Sequence, residues 1–428
     1  MKKKVTRNKS ARILAVHRYF WPDSPPYASM LRAISEQWVS DGHKVDILTS
    51  MPSYRKESAQ ISVPGEEELS GVWVRRVRLI AERGGRWRKV VNIPLFIVKV
   101  AWHMVRRGPY DVVMCSTAPP VLLASIISRL ASWSGARFIY HCMDIHPEIG
   151  RISGEFSHPV VFNLLQKLDR ETCRRSASVV VLSPDMKTSL ESRRPGASDQ
   201  IDIINNFELP VYGAPNPAVI PPEISGLKKE PGRFRILFAG NIGRFQGLET
   251  VIDAVKTLTD LESLELIFLG DGHARETLEK RANDSLGKQI HFLGYHPPEV
   301  ARQAISTADL CLVTLAPDIY RYAFPSKTMT FLARGRPILA VIESSADLTR
   351  LVQGENAGIV VESGNAAALA ESIRRIVETP EKLVEMQVNA QRVADQQFTA
   401  ETVLPKWSAL LRRVLAGNDA DASSTKYN

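Results

Sequence analysis

The sequence predicts an α/β protein of two Rossmann-like, doubly wound domains, and three observations carry that reading. Short β-branched runs alternate with amphipathic helical runs along almost the whole chain, the pattern of parallel sheets covered by helices on both faces. A stretch at 207–232 breaks the alternation with Pro210, Pro215, Pro217, Pro221, Pro222 and Pro231, and reads as a linker. The 428 residues exceed one ordinary core and suit two domains of roughly 200 residues each.

The first domain, residues 1–206, opens on a strand at 13–17. A helix at 28–41 follows, with Gly42 placed to stop it, and then a strand at 44–49. Further strands are predicted at 72–78, 112–115, 137–141, 179–182 and 201–205, with helices at 93–107, 120–134, 159–175 and 184–192 between them. The second domain, residues 233–397, repeats the scheme with strands at 235–239, 265–269, 289–293, 310–315, 337–341 and 358–361. Its helices fall at 247–258, 273–283, 298–307, 326–334, 346–353, 366–377 and 380–396. A last helix, within 398–417, is expected to return toward the first domain, and the small polar residues 418–428 read as a disordered tail.

Composition excludes several classes. The four cysteines show no C-x-x-C spacing, so neither a disulfide framework nor a zinc site is suggested and a reducing cytoplasm fits. The basic start runs into an apolar stretch too short for a signal peptide, and no apolar run reaches the length of a membrane span. Net charge is +9, and its placement is uneven: residues 1–110 hold 21 Lys/Arg against 9 Asp/Glu. Between 73 and 107 the cations stand beside Trp73, Trp87, Phe96, Trp102 and Met104, which suits an anionic membrane surface. The plainer alternative is a solvated basic helix with its apolar side on the domain. Nucleic acid is not an expected partner, because no recognition motif accompanies the charge.

Two segments carry phosphate chemistry. Gly240-Asn241-Ile242-Gly243-Arg244-Phe245-Gln246-Gly247 joins a strand to a helix, and glycines there let the backbone approach an anion closely. Pro325-Ser326-Lys327 puts a turn, a hydroxyl and a cation at the start of another helix, with Thr330 one turn on; a plain helix cap is its structural alternative. Both follow strands of one sheet, so both helix starts are expected at one crevice on its C-terminal edge, where they and Lys327 suit a diphosphate. Asp419-Ala-Asp421 lies in the polar tail and is not read as a metal site; no metal or other cofactor is expected.

Taken together the chain resembles the retaining GT-B glycosyltransferases of family 4, the branch making bacterial surface polysaccharides with G-N-I-G-x-x-Q-G-L-E and P-S-K. The similar segments also include Phe20-Trp21-Pro22, Gly42-His43-Lys44-Val45, Asp144-Ile145-His146-Pro147-Glu148, Ile204-Asn205-Asn206, Gly270-Asp271-Gly272 and Phe292-Leu293-Gly294-Tyr295. The resemblance implies a GT-B architecture with an interdomain cleft. It places a nucleotide-sugar donor, as substrate, on the second domain and the acceptor mainly on the first.

Gly240, Asn241, Gly243 and Arg244 are then expected at the diphosphate, with Gly270 beside them and with Ser326, Lys327 and Thr330 across from them. Gly294, Tyr295 and His296 are expected near the nucleobase. Asp144, His146 and Glu148 are the candidates for orienting hydroxyls in the transfer, the structural alternative being a capped turn or a mutual pair. Pro25, Pro26 and Tyr27, in the first strand-to-helix turn, are candidates for acceptor contact or for a plain loop.

The chain departs from the wider family in more than one respect: Asn241 and Gln246 stand where many relatives carry an Arg and a Lys, with Arg244 and Lys327 as the expected replacements. Where the family has its E-x7-E glutamates, Tyr322 and Thr330 stand here, which leaves donor identity open. The implied reaction is transfer of a hexose or N-acetylhexosamine, UDP-linked, to a lipid-linked saccharide at the inner face of the cytoplasmic membrane. A nucleotide-sugar 2-epimerase of the same architecture and a non-catalytic nucleotide-sugar-binding protein are the rival readings.

Overall fold

The computed structural model describes residues 10–23, 26–53, 61–80, 86–152, 154–194, 196, 198–209, 227–243 and 246–424. In the first domain the strands are β1 (Arg12–Val16), β2 (Lys44–Ser50), β3 (Glu66–Leu69), β4 (Val72–Val77), β5 (Val112–Ser116), β6 (Arg137–His141), β7 (Ser178–Val181) and β8 (Ile201–Ile203). Its helices are α1 (Pro26–Ser40), α2 (Arg86–Arg107), α3 (Leu122–Ser134), α4 (Glu148–Ile152), α5 (Pro159–Arg175) and α6 (Pro184–Arg193). The sheet runs β3-β4-β2-β1-β5-β6-β7-β8, parallel throughout except for β3 against β4.

Alternation along β1 decides which helix covers which face. Leu14 and Val16 join Phe96, Val100 and Met104 of α2 and Ile127 of α3 in one core, while Ile13 and Ala15 point to Leu31 and Ile34 of α1 on the other side. The order changes direction at β1, whose neighbours are β2 and β5, so a switch point opens above its end.

The second domain holds β9 (Phe234–Ala239), β10 (Leu264–Leu269), β11 (Ile290–Gly294), β12 (Leu310–Thr314), β13 (Ile338–Val341) and β14 (Gly358–Val361) in the order β11-β10-β9-β12-β13-β14, all parallel. This is the Rossmann arrangement, with its switch point between β9 and β12. Its helices are α7 (Leu248–Lys256), α8 (Arg275–Ala282), α9 (Pro298–Ser306), α10 (Lys327–Ala333), α11 (Asp347–Gly354), α12 (Ala366–Glu378) and α13 (Glu381–Gln397). The last helix, α14 (Ala400–Ser424), lies against α1 of the first domain: Trp407 meets Trp38 edge-on at 6.1 Å, and Val403, Leu410 and Leu411 join that core.

Four features depart from the expected elements. The hairpin strand β3 was not predicted; it is held by ion pairs of Glu66 with Arg75 and Glu67 with Arg76 rather than by an apolar face. Helix α2 begins at Arg86, so Pro94 lies inside it instead of in its first turn. A short α4 follows the Asp144–His146 segment. Helix α14 continues to Ser424, through the first residues of the stretch read as a disordered tail.

Candidate active site

The glycine turn after β9 interlocks with the loop after β10, backbone against backbone. The Gly240 N–H bonds the Leu269 carbonyl and the Ile242 N–H bonds the Asp271 carbonyl, each at 2.9 Å, and the Ala274 N–H returns to the Ile242 carbonyl at 3.1 Å. A Cβ at Gly270, where φ is +147°, would stand 1.8 Å from the Gly240 carbonyl oxygen, and one at Gly272 2.2 Å from that of Ile242. Only glycine admits this approach. Gln246 folds back so that its Oε1 accepts from the Gly243 N–H at 3.0 Å, and Gly247 starts α7 in the left-handed region. Arg244 lies outside the described residues.

Lys327 closes the turn from the other side. It begins α10, and a Cβ at Gly240 would lie 3.3 Å from its Nζ. The ammonium sits 3.6 Å from the centroid of the Phe238 ring, is shut off from solvent, and has no hydrogen-bond partner among the described residues. Burial without a carboxylate pushes its pKa down to about 7. A buried cation left unpaired beside a glycine turn at a switch point is poised for an anion that the protein itself does not supply. Ser326 is exposed at the start of α10 and makes no side-chain cap bond, and Thr330 is half-buried one turn on.

Toward the sheet edge, Gly294 ends β11 with φ +73° close to the Arg275 guanidinium, Tyr295 is 43% exposed, and His296 Nε2 lies 3.1 Å from the Leu293 carbonyl.

The first domain faces this turn with the segment after β6. The Ile145 N–H bonds the Tyr322 carbonyl at 2.8 Å and Asp144 bridges to Ala323, so the Asp144 segment is tied to the chain just ahead of Lys327. Burial lifts the Asp144 carboxyl to about 6. Burial, with the Arg193 charge nearby, pushes the His146 imidazole down to about 4, and its Nδ1 has no partner among the described residues. Both are thus polar groups shifted by burial on the segment that meets the second domain, and the His146 ring packs edge-on against Phe156.

Two candidate residues are placed differently from Asp144 and His146. Glu148 pairs with Arg193 through one oxygen and accepts from Gln166 Nε2 at 2.8 Å through the other, so both oxygens are occupied within the first domain. Arg193 also meets Asp169 at 2.8 Å. Tyr27 is buried, with its hydroxyl 3.0 Å from His141 Nδ1 and its ring 4.4 Å from that of His17, so it supports the floor of the cleft rather than its surface. Pro26 is exposed at the start of α1, and Pro25 lies outside the described residues.

Sequence reasoning did not single out His141 or Asn206. Both are buried near strand ends on the cleft side, and His141 Nε2 and both amide atoms of Asn206 lack partners among the described residues. Their signal was positional: polar residues at or just after the ends of parallel strands, His141 closing the central β6 and Asn206 following the edge strand β8. Among the described residues no group of three or more His, Cys, Asp or Glu is placed to hold a metal ion.

Two Rossmann-like domains that meet at the C-terminal edges of their sheets, one of them with a glycine turn and an unpaired lysine at its switch point, define the GT-B class of nucleotide-dependent transferases. Residues 27–206 match the family model described as glycosyl transferase 4-like domain, and residues 233–379 the one described as glycosyl transferases group 1. The chain is thus a glycosyltransferase of the group 1 type.

It is similar to WbjE of Pseudomonas aeruginosa, named as a glycosyltransferase, with 26% identity over 75% of this chain and 78% of that one. It is also similar to WcaI of Escherichia coli (strain K12), named as a colanic acid biosynthesis glycosyl transferase, with 23% identity over 84% and 91%. Among solved structures, Anabaena Alr3699/HepE in complex with UDP-glucose superposes with a TM-score of 0.65 at 16% identity, covering 94% of this chain and 99% of that one.

Proposed function

We propose that the protein transfers a hexose or N-acetylhexosamine from a UDP-linked donor to a lipid-linked saccharide, with retention, in the assembly of a surface polysaccharide at the inner face of the cytoplasmic membrane. The observation that carries the donor half is the contact between Lys327 Nζ and Gly240, which brings the two phosphate-type motifs to one point. A diphosphate seated there meets the charge of Lys327 beside a turn whose glycines let it come close to the backbone, and the same charge stabilises the leaving phosphate as the glycosidic bond breaks. Asp144, tied to residue 323 by its backbone, is placed to accept a hydrogen bond from a hydroxyl of the sugar or of the acceptor.

The UDP-glucose complex of HepE supports the choice of nucleotide, and the name of WcaI supports the polysaccharide setting. The basic, tryptophan-bearing first domain supports placement at an anionic membrane surface.

The test is a thermal-shift panel of nucleotides and nucleotide sugars, since a ligand of the native state raises Tm by mass action. UDP-sugars are expected to raise Tm more than ADP- or GDP-sugars. Lys327→Ala and Arg244→Ala are expected to weaken UDP more than uridine. Equal losses for UDP and uridine refute the phosphate assignment.

A further inference from the structure

We infer that the outer face of α2, continued across α3 and α5, is the surface by which this protein lies on an anionic lipid bilayer. The inference rests on the membrane-surface reading above and deepens it by naming the face and the orientation of the cleft.

Helix α2 is apolar on two opposite sides. Phe96, Val100 and Met104 fill the core. Val91, Pro94, Val98, Trp102 and Val105, spaced by three and four residues, form a second stripe that faces away from it, and all five are exposed. Val98, Trp102 and Val105 are each 63% exposed. A helix at the surface of a soluble domain puts polar residues there. The stripe has company, because α3 packs against both α2 and α5 in the same layer. Leu122, Ile126 and Trp133 are exposed on α3, Trp133 at 79%, and Val160, Val161 and Leu164 are exposed on α5. Apolar surface repeated on three adjacent helices marks a partner site.

Charge selects the partner. The 22 residues of α2 include no Asp or Glu and carry Arg86, Arg88, Lys89, Lys99, Arg106 and Arg107. Beside the stripe runs a groove lined by Val98 and Trp102 together with Arg75, Lys99, Arg106 and Arg107; its single acid, Glu66, is bonded to Arg75 at 2.8 Å. Arg106 lies 5.6 Å from the centroid of the Trp102 ring. Cations flanking a Trp-bearing apolar stripe fit phosphate headgroups above an acyl boundary. A second copy of the chain would bring the same positive charges face to face, which disfavours a dimer through this surface.

Docking on this face sets the geometry of transfer. A helix that connects parallel strands runs antiparallel to them, so α2, α3 and α5 on the bilayer lay the first sheet along the membrane and turn the cleft edge sideways, level with it. Exposed Ile152, on α4, and Val160, at the start of α5, belong to the stretch of chain that follows the Asp144 segment.

The test is sedimentation of the full chain with phosphatidylcholine vesicles, with and without phosphatidylglycerol. The wild type is expected to be retained by the mixed vesicles and released by salt. Val98→Ser/Trp102→Ser is expected to weaken retention roughly tenfold or more, through loss of buried apolar area. Val384→Ser/Val388→Ser, on exposed α13 positions in the second domain, is expected to leave it unchanged. Circular dichroism and the Tm rise with UDP establish that each variant is folded. Equal retention of wild type and Val98→Ser/Trp102→Ser overturns the assigned face and leaves the membrane reading standing. No retention of the wild type overturns both and leaves the donor site untouched. A lipid-free dimer that dissolves in Val98→Ser/Trp102→Ser, seen by analytical ultracentrifugation, gives the face to a second copy and overturns the inference.

Discussion

Lys327 carries the sharpest residue-scale consequence, because its folded-state pKa of about 7 lies well below the 10.5 of a free lysine. A bound diphosphate favours the ammonium and raises that pKa, so donor binding takes up a proton at pH values above about 7 and none well below it. Affinity for UDP is therefore expected to be fully present below pH 7 and to fall as pH rises, by up to about tenfold per pH unit until the bound-state pKa is reached. Calorimetry at pH 8 in two buffers of different ionisation enthalpy checks this. The apparent binding enthalpies should differ between buffers for the wild type and coincide for Lys327→Gln. Equal wild-type enthalpies would mean that Lys327 is already charged or does not meet the phosphate.

In Asp144 the pKa shift runs the other way. Its carboxyl is raised from 3.8 to about 6, so the native state holds the extra proton between those values and stability declines as pH climbs through that window. Asp144→Asn is expected to raise the Tm at pH 7.5, by an amount corresponding to about 1–3 kcal/mol, to leave it unchanged below pH 4, and to lower sugar transfer by at least about tenfold. A lower Tm at pH 7.5 would show that the carboxylate holds a structural bond instead.

Which side chains belong to the cleft was only partly legible. Gly240 and Lys327 declared themselves through local strand-to-helix syntax, whereas the partners that occupy Tyr27 and Glu148 stand 114 and 45 residues away along the chain. Nothing local to Tyr27 or Glu148 announces them.

At the scale of elements, periodicity located the helices and parallel strands because each buries a face with a fixed repeat. It failed where something else holds an element in place. Strand β3 reads Glu-Glu-Glu-Leu, a sequence with no apolar alternation, and it exists because Arg75 on β4 stands opposite Glu66 in register and the next residue, Arg76, pairs with Glu67. Helix α2 starts seven residues before its expected start near residue 93 because Pro94 falls on its outer side, where the freed carbonyl one turn back is not buried in the core. The glycines at 240, 270 and 272 were each visible as turns. What periodicity does not convey is that two loops from neighbouring strands lock together through them into one rigid cradle, with the Gly240 carbonyl occupying the space that a side chain at residue 270 would need.

For the whole molecule the question is what holds the cradle and the Asp144 segment at working distance. Near the cleft floor the domains meet at the Ile145–Tyr322 hydrogen bond and where α6 packs on the turn at Ile319–Arg321. Close by, Asp185 of α6 reaches across to α11: its Oδ2 accepts from the Asp347 N–H at 2.7 Å, at the positive end of that helix, and its Oδ1 lies 3.2 Å from Arg350. With only 13% of its side chain exposed, this carboxylate is sheltered where it meets the helix N–H, whereas its pair with the half-exposed Arg350 lies at the surface. Removing it leaves the Asp347 N–H without its acceptor, while Arg350 keeps Asp347 at 3.3 Å; a loss of about 1–3 kcal/mol shifts the balance between joined and separated domains by roughly fivefold to a hundredfold.

Asp185→Ala is therefore expected to increase the radius of gyration in small-angle scattering and to lower kcat/KM. The Tm rise with UDP should stay near that of the wild type, because the donor cradle is complete within the second domain. If scattering and transfer are both unchanged, the apolar contact of α6 with residues 319–321 suffices to hold the domains and the carboxylate is incidental. If UDP binding falls along with transfer, the Asp185 contact reaches into the cradle itself through the loop that precedes Lys327.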